Sequence, residues 1–193
     1  GSDFKEYWRC PRRLFWKVHD PLPPRSFLNR GTFEAIKRHE KIETYLQKRG
    51  WKVEYAIKYE RLIYGVPVTC YGHIDALSPS GIILDIKHNE PSVGDQLQTA
   101  SYQVGINGKA IILLYRNGIQ YFRDLRRKVA RYYPRVYACI ATDILPPKHP
   151  DFPHCYTSCE YFRRCGRRRH ESNKRRDEWI EWLQKIEEIM RGG

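Results

Sequence analysis

The chain has 193 residues, 41% of them hydrophobic and 13% aromatic, which suits one packed domain and excludes a disordered one. No apolar run approaches a membrane span and no signal-peptide pattern opens the chain, so the expectation is a cytoplasmic protein without membrane contact. Lys and Arg outnumber Asp and Glu by 35 to 22, a net charge of +13, and six cysteines without a secretory route favour metal ligands or buried thiols over disulfides.

Gly1 and Ser2 read as an expression scar. The spacing of Phe33, Ile36, Ile42, Tyr45 and Leu46 predicts a helix from Thr32 to Arg49, capped by Thr32 and stopped by Gly50. In "WKVEYAIKY", Trp51, Val53, Tyr55, Ile57 and Tyr59 alternate with mostly polar residues and predict a strand. A second strand follows from Val66 to Leu77, and a third from Ile82 to Lys87 after the turn "SPSG". Pro91 and Ser92 open a helix to Ile106. "KAIILLYR" reads as a buried strand, and Asn117–Gly118 signals a hairpin into "IQYFRD". Asp124 to Ala141 reads as helical with an interruption at Pro134. The four prolines of "LPPKHPDFPHC" mark a linker, and Asn173 to Met190 reads as an amphipathic helix bearing Trp179, Trp182, Leu183, Ile186 and Ile189. This order predicts a mixed α/β or α+β domain around one central sheet.

Two of these strands carry chemistry. Alternation in "VTCYGHIDAL" puts Thr69, Tyr71, His73 and Asp75 on one face, and Cys70 on the other with Val68 and Ile74. In "IILDIKH", Ile83, Asp85 and Lys87 share a face. A hairpin brings Asp75 and Asp85 to neighbouring positions with Lys87 beside them. Two adjacent acids repel and call for a cation, which a divalent metal with oxygen ligands supplies. The ordinary alternative is a solvated edge with Lys87 as salt-bridge partner, but it explains poorly why charges interrupt so apolar a strand. Phosphodiester hydrolysis uses all three groups.

Basic residues cluster twice. Arg126, Arg127, Lys128, Arg131 and Arg135 form one group, and Arg163, Arg164, Arg167, Arg168 and Arg169 lie in another. Tyr132, Tyr133, Tyr161 and Phe162 stand among them, a combination that suits phosphates and stacked bases. Nearby, "HCYTSCEYFRRC" holds Cys155, Cys159 and Cys165. Three thiols are one too many for a disulfide and one too few for a closed metal site.

"GHIDAL…ILDIKH" resembles the core of PD-(D/E)xK nucleases of the RecB-like kind. His39 in the preceding helix, Gln98 and Tyr102 in "QTASY", and Cys10 in "CPRR" match further motifs of that group. Together they resemble the CRISPR-associated RecB-like exonucleases, the fourth Cas protein family. The resemblance implies a restriction-endonuclease-like core over residues 30–145 within a single domain spanning 1–193. It also implies an iron–sulfur and DNA-binding region from residues 3–20 with 150–190. Cys10 then completes the cluster with Cys155, Cys159 and Cys165, as 4Fe–4S in preference to 2Fe–2S, with zinc the competing ligand. Three residues lie between Cys155 and Cys159, where the family commonly has two. His39, Asp75, Asp85 and the Ile86 carbonyl would hold Mn²⁺ or Mg²⁺. Lys87 would act as base or position water, and Gln98 and Tyr102 would orient DNA or Lys87. The implied activity is 5'→3' exonuclease action on single-stranded DNA, trimming prespacers beside the integrase of the first and second Cas proteins. A non-catalytic DNA-binding scaffold and a RecB-like repair nuclease outside CRISPR are the alternatives. Cys70 and Cys139 are expected to be buried free thiols, while His73, Glu60, Asp95 and His88 receive no role.

Overall fold

The computed structural model describes residues 2–23, 30–147, 159–161, 165 and 174–192. Two short helices, α1 (Ser2–Arg9) and α2 (Pro11–His19), precede α3 (Arg30–Gln47). A five-stranded sheet follows in the order β1 (Lys52–Ile63), β2 (Val66–Leu77), β3 (Ile82–Ile86), β4 (Ala110–Tyr115), β5 (Gly118–Phe122). It is mixed: β3 and β4 run parallel, joined through α4 (Val93–Ile106), and the other neighbours are antiparallel. Helices α5 (Arg126–Ala130), α6 (Tyr133–Ala141) and α7 (Lys174–Gly192) complete the described elements. The architecture is therefore α+β, with helices flanking both faces of the sheet.

The larger core packs Phe4, Tyr7, Leu14, Leu97, Tyr133, Val136, Trp182 and Ile186 from the helices against Ile57, Ile74, Ile83, Ile111 and Leu113 of the strands. On the opposite face Leu46 of α3 packs with Ala76, Leu84 and Ile86. Alternating burial of β3 and β4 residues on both faces explains why these strands are apolar throughout.

The end of β1 and the break at Pro134 differ from the expectations for physical reasons. β1 runs on to Ile63, because Arg61, a charged residue at an inward position, lies over the Tyr133 ring at 4.4 Å. The turn into β2 is only Tyr64–Gly65, both at positive φ (51° and 80°), which matches the twist of the flanking strands. Pro134 sits in the first turn of α6, where its missing N–H costs nothing, so the break falls before it at Arg131 and Tyr132. Helix α4 follows the expectation. Ser92 caps it in a capping box with Asp95, and Asn107 closes it in the left-handed conformation. Among the described residues no helix is long and apolar enough to cross a membrane.

Candidate active site

The site lies where β2 and β3 part. Their backbone pairing consists of Ala76 with Leu84 and Leu77 with Ile83, so the next pair in register would be Asp75 with Asp85. There the ladder gives way to a side chain: Asp75 Oδ2 accepts the Ile86 N–H at 2.6 Å. Alternation breaks at the same point. Ile74 packs in the larger core with Cys70 and Val68 beside it, as expected, while Ala76 packs with Leu84 on the opposite face. Counted from Ile74, alternation turns Asp75 towards α3, where it meets His39, while Asp85 bonds Thr99 of α4 on the other side, and the Asp75–Ile86 bond ties the two strands together between them.

His39, on α3, meets Asp75 through Nε2 at 3.0 Å, and its Nδ1 lies 3.1 Å from Glu43 Oε1, one helical turn on. The bond to Asp75 raises the His39 pKa against the opposing effect of burial. Burial also pushes Asp75 up, but the His39 bond, the Ile86 N–H and the His39 and Lys87 charges together hold its carboxyl below the ordinary value. Glu43 goes the other way: burial and a hydrogen bond with Glu54 push it up to about 7. Glu54 itself, opposite Asp75 in register, has φ 47°, a left-handed conformation that disfavours an ordinary L residue. The potential ligand atoms of His39, Glu43 and Glu54 all lie within 4.8 Å of one another.

Asp85 is 3% exposed and is committed elsewhere. Its carboxylate takes Lys87 Nζ at 2.8 and 3.0 Å and the Thr99 hydroxyl at 2.8 Å. Burial pushes Asp85 up to about 6 against the pull of Lys87. Lys87, which burial alone would lower, is held above its ordinary value by Asp85. Asp95, at the start of α4, adds a further carboxylate: its Oδ1 lies 3.8 Å from Lys87 Nζ and 2.6 Å from Lys5 Nζ of α1. Gln98 donates to the Tyr102 hydroxyl at 2.9 Å, so the two residues one turn apart act as a pair. The Tyr102 ring lies against Gly72 of β2, where an added Cβ would come within 2.4 Å of it.

His39, Asp75, Asp85, Ile86, Lys87, Gln98 and Tyr102 thus meet around one region. His73 is exposed on the outer face of β2, Glu60 is exposed on β1, and His88 lines a cavity of about 210 Å³ with Ile36, Arg38, His39, Ile86 and Lys87. The sequence reading missed Glu43, Glu54, Asp95, Thr99 and Lys5. Glu43 was findable from its spacing of four after His39, and Thr99 from its spacing of four after Asp95. Nothing local marks Lys5 or Glu54.

The chain's two ends meet away from this site. Cys10 is buried at the N-cap of α2, in extended backbone. Burial lowers the Arg12 pKa, while Cys165 and Cys10, both near its guanidinium, act to raise it. Arg13 reaches Glu160 at 3.2 Å, next to the half-buried Cys159. Cys139 is fully buried and near enough to Cys10 for that thiol to add to the upward push of burial on its own pKa. Cys70 is half-buried. Cys155, Arg163, Arg164, Arg167, Arg168 and Arg169 lie outside the described residues.

No protein-family model matches the chain, and no curated protein matches it significantly. Among solved structures, the crystal structure of SSO0001 superposes with a TM-score of 0.55 at 16% identity, over 74% of this chain and 77% of that one. At that identity the likeness is one of fold.

Proposed function

We propose that this chain is a metal-dependent nuclease of the PD-(D/E)xK kind that degrades single-stranded DNA from an end. The observation that supports it most is the convergence of Asp75, Asp85 and Lys87 at the parting of β2 and β3, with His39 bonded to Asp75. A solvated salt bridge would not be 3% exposed, nor would it recruit two helices.

The residues suit a divalent ion. His39, Glu43 and Glu54 present one nitrogen and carboxylate oxygens, all within 4.8 Å of one another, to a common space. His39, Asp75, Asp85 and the Ile86 carbonyl would hold Mn²⁺ or Mg²⁺, the imidazole tilting the set towards Mn²⁺. Such an ion supplies polarisation of a phosphoryl oxygen and a bound water of lowered pKa. The chain supplies the rest. Lys87, bonded to Asp85, would act as base or position water, donating hydrogen bonds to water or to a phosphoryl oxygen in its ammonium form. Thr99 fixes the Asp85 carboxylate, and Gln98 with Tyr102 orients the strand beside Lys87. Hydrolysis adds one water across a P–O bond and leaves a phosphate end and a hydroxyl end.

Cys10, Cys155, Cys159 and Cys165 would hold an iron–sulfur cluster, 4Fe–4S in preference to 2Fe–2S, and the meeting of the α2 start with Glu160 and Cys165 suits that set. Hydrolysis moves no electrons, so the cluster's part is to clamp the chain ends. Following the family resemblance, the strand is prespacer DNA trimmed 5'→3' for CRISPR adaptation, beside the integrase of the first and second Cas proteins. The test is digestion of end-labelled single strands with and without Mn²⁺, in the wild type and in Asp85→Ala. Stepwise shortening that requires metal and vanishes in the variant is expected; equal shortening by folded Asp85→Ala protein would refute the site.

A further inference from the structure

One face of the molecule carries positive charge and aromatic rings for which the nuclease site has no use. Between Asp124 and Asp143 the sequence contains Arg126, Arg127, Lys128, Arg131 and Arg135 without one Asp or Glu. In the fold, Arg131 and Arg135 lie over the Tyr132 ring at 5.6 and 6.0 Å. Trp8 of α1 meets the same ring edge to face at 6.3 Å and remains 38% exposed. Lys128 reaches back to Gln96 of α4 at 2.7 Å. Arg126 is paired with Asp124 at 3.3 Å, but Lys128 and Arg131 stand as like charges near one another, and the pKa of Lys128 is lowered by burial and by Arg131. Of the two acids on α1, Glu6 is taken by Arg9, Arg13 and Lys17. The other, Asp3, lies towards Cys70. The charge therefore awaits an external polyanion.

The face also borders the proposed site. Trp8 and Lys5 of α1 pack against Gly94, and Lys5 Nζ bonds Asp95, which lies 3.8 Å from Lys87. The seam between α1 and α4 thus leads from Lys87 by way of Asp95 and Lys5 to Trp8 and Tyr132.

Resting on the nuclease reading, we infer that Trp8 and Tyr132, flanked by Lys128, Arg131 and Arg135, form a stacking platform that holds the single strand as it passes along the α1–α4 seam. An unpaired strand is favoured over a duplex because the exposed Trp8 ring, beside half-buried Tyr132, can take a base face, which a duplex keeps stacked within itself.

The test is affinity, measured by fluorescence anisotropy in EDTA with the full chain, for a labelled 20-nucleotide thymidine strand and a 4-nucleotide one. Trp8→Ala should weaken the long strand by roughly fivefold or more, the low end for loss of one stacking ring, with Trp8→Phe restoring most of it. Arg131→Gln with Arg135→Gln should lower the slope of log affinity against log salt by about 1.4, the value for two lost phosphate contacts on a single strand. The 4-nucleotide strand should lose less in every variant. Unchanged long-strand affinity in folded Trp8→Ala and Arg131→Gln/Arg135→Gln protein would overturn the platform. So would weakened binding of anionic phosphatidylserine vesicles with single strands unaffected, which would give the face to a lipid surface. Because EDTA prevents metal-dependent cleavage, failure of the nuclease reading shows separately: a chain that binds by this face and cleaves nothing with Mn²⁺ keeps the platform and loses the reaction.

Discussion

Lys5 Nζ stands 2.6 Å from the Asp95 oxygen that also faces Lys87, so a residue of the first helix takes part in arranging the lysine of the proposed site. Asp95 shares its charge between two ammonium groups, and burial would raise its pKa were it not for Lys5 and the Ser92 bonds, which hold it below the ordinary value. Removing Lys5 lets Asp95 pull Lys87 away from Asp85. Lys5→Ala should lower turnover by on the order of tenfold, the scale for partners one step removed from the chemistry, while KM changes little. Lys5→Arg should recover most of the loss. Equal turnover in wild type and Lys5→Ala would show that Asp85 alone fixes Lys87.

Glu43 gives a pH signature. Its folded pKa is raised from 4.5 to about 7 by burial and Glu54. Across that window the unfolded chain has released a proton that the folded chain keeps, so stability falls as pH rises towards 7 and stays lowered above it. Glu43→Gln removes this penalty. In EDTA, the melting temperature of the variant should exceed that of the wild type by more at pH 8 than at pH 5. Calorimetric titration should show weaker Mn²⁺ binding in the same variant. A melting difference independent of pH would refute the assignment.

Gly72 is expected to tolerate no side chain. An added Cβ would meet the Tyr102 ring at 2.4 Å, and Ile57 stands on the other side at 3.4 Å. Gly72→Ala should cost about 1–3 kcal/mol of stability, the usual range for overpacking. It should also reduce cleavage by displacing the Gln98–Tyr102 pair. In a Tyr102→Leu background the same substitution should cost much less stability, since the clashing ring edge is gone. Additive losses measured by urea denaturation would contradict this.

The clamp makes a compositional prediction. Purified protein should be coloured and contain iron with acid-labile sulfide. Cys10→Ser should lose colour, iron and thermal stability together, because cluster bonding adds to folding free energy. Half-buried Cys70 is the clean control, whereas Cys139, packed near Cys10, is not. Elemental analysis finding one zinc and no iron would refute the cluster and leave the clamp standing.

What the sequence made legible follows from range. Ser92, Asn117–Gly118 and the β2 and β3 runs announce themselves within a few residues, and α4 and the central strands match their expected positions closely. The pairing of Asp75 with Asp85 was legible as a register, but not the change of face between Ile74 and Ala76, because alternation is a rule for regular strands and the left-handed Glu54 opposite makes this pair irregular. Arg61 hid the end of β1 by being charged and inward-facing at once. Lys5 was invisible, since its partner Asp95 is remote in sequence and no local pattern joins a helix surface to the first turn of a distant helix.

That remoteness has a consequence during synthesis. Helix α1 is translated before α4, and its ion-pair partner there follows about ninety positions later, a delay of roughly 5–20 s at ribosomal speeds. Through that interval Phe4 and Tyr7, buried at 6% exposure in the finished fold, have neither α4 nor α6 to pack on. The nascent chain is thus obliged to keep a sticky segment idle until the sheet behind it is built. A bulky fusion placed just ahead of Ser2 would burden that late docking step more than it would burden the sheet.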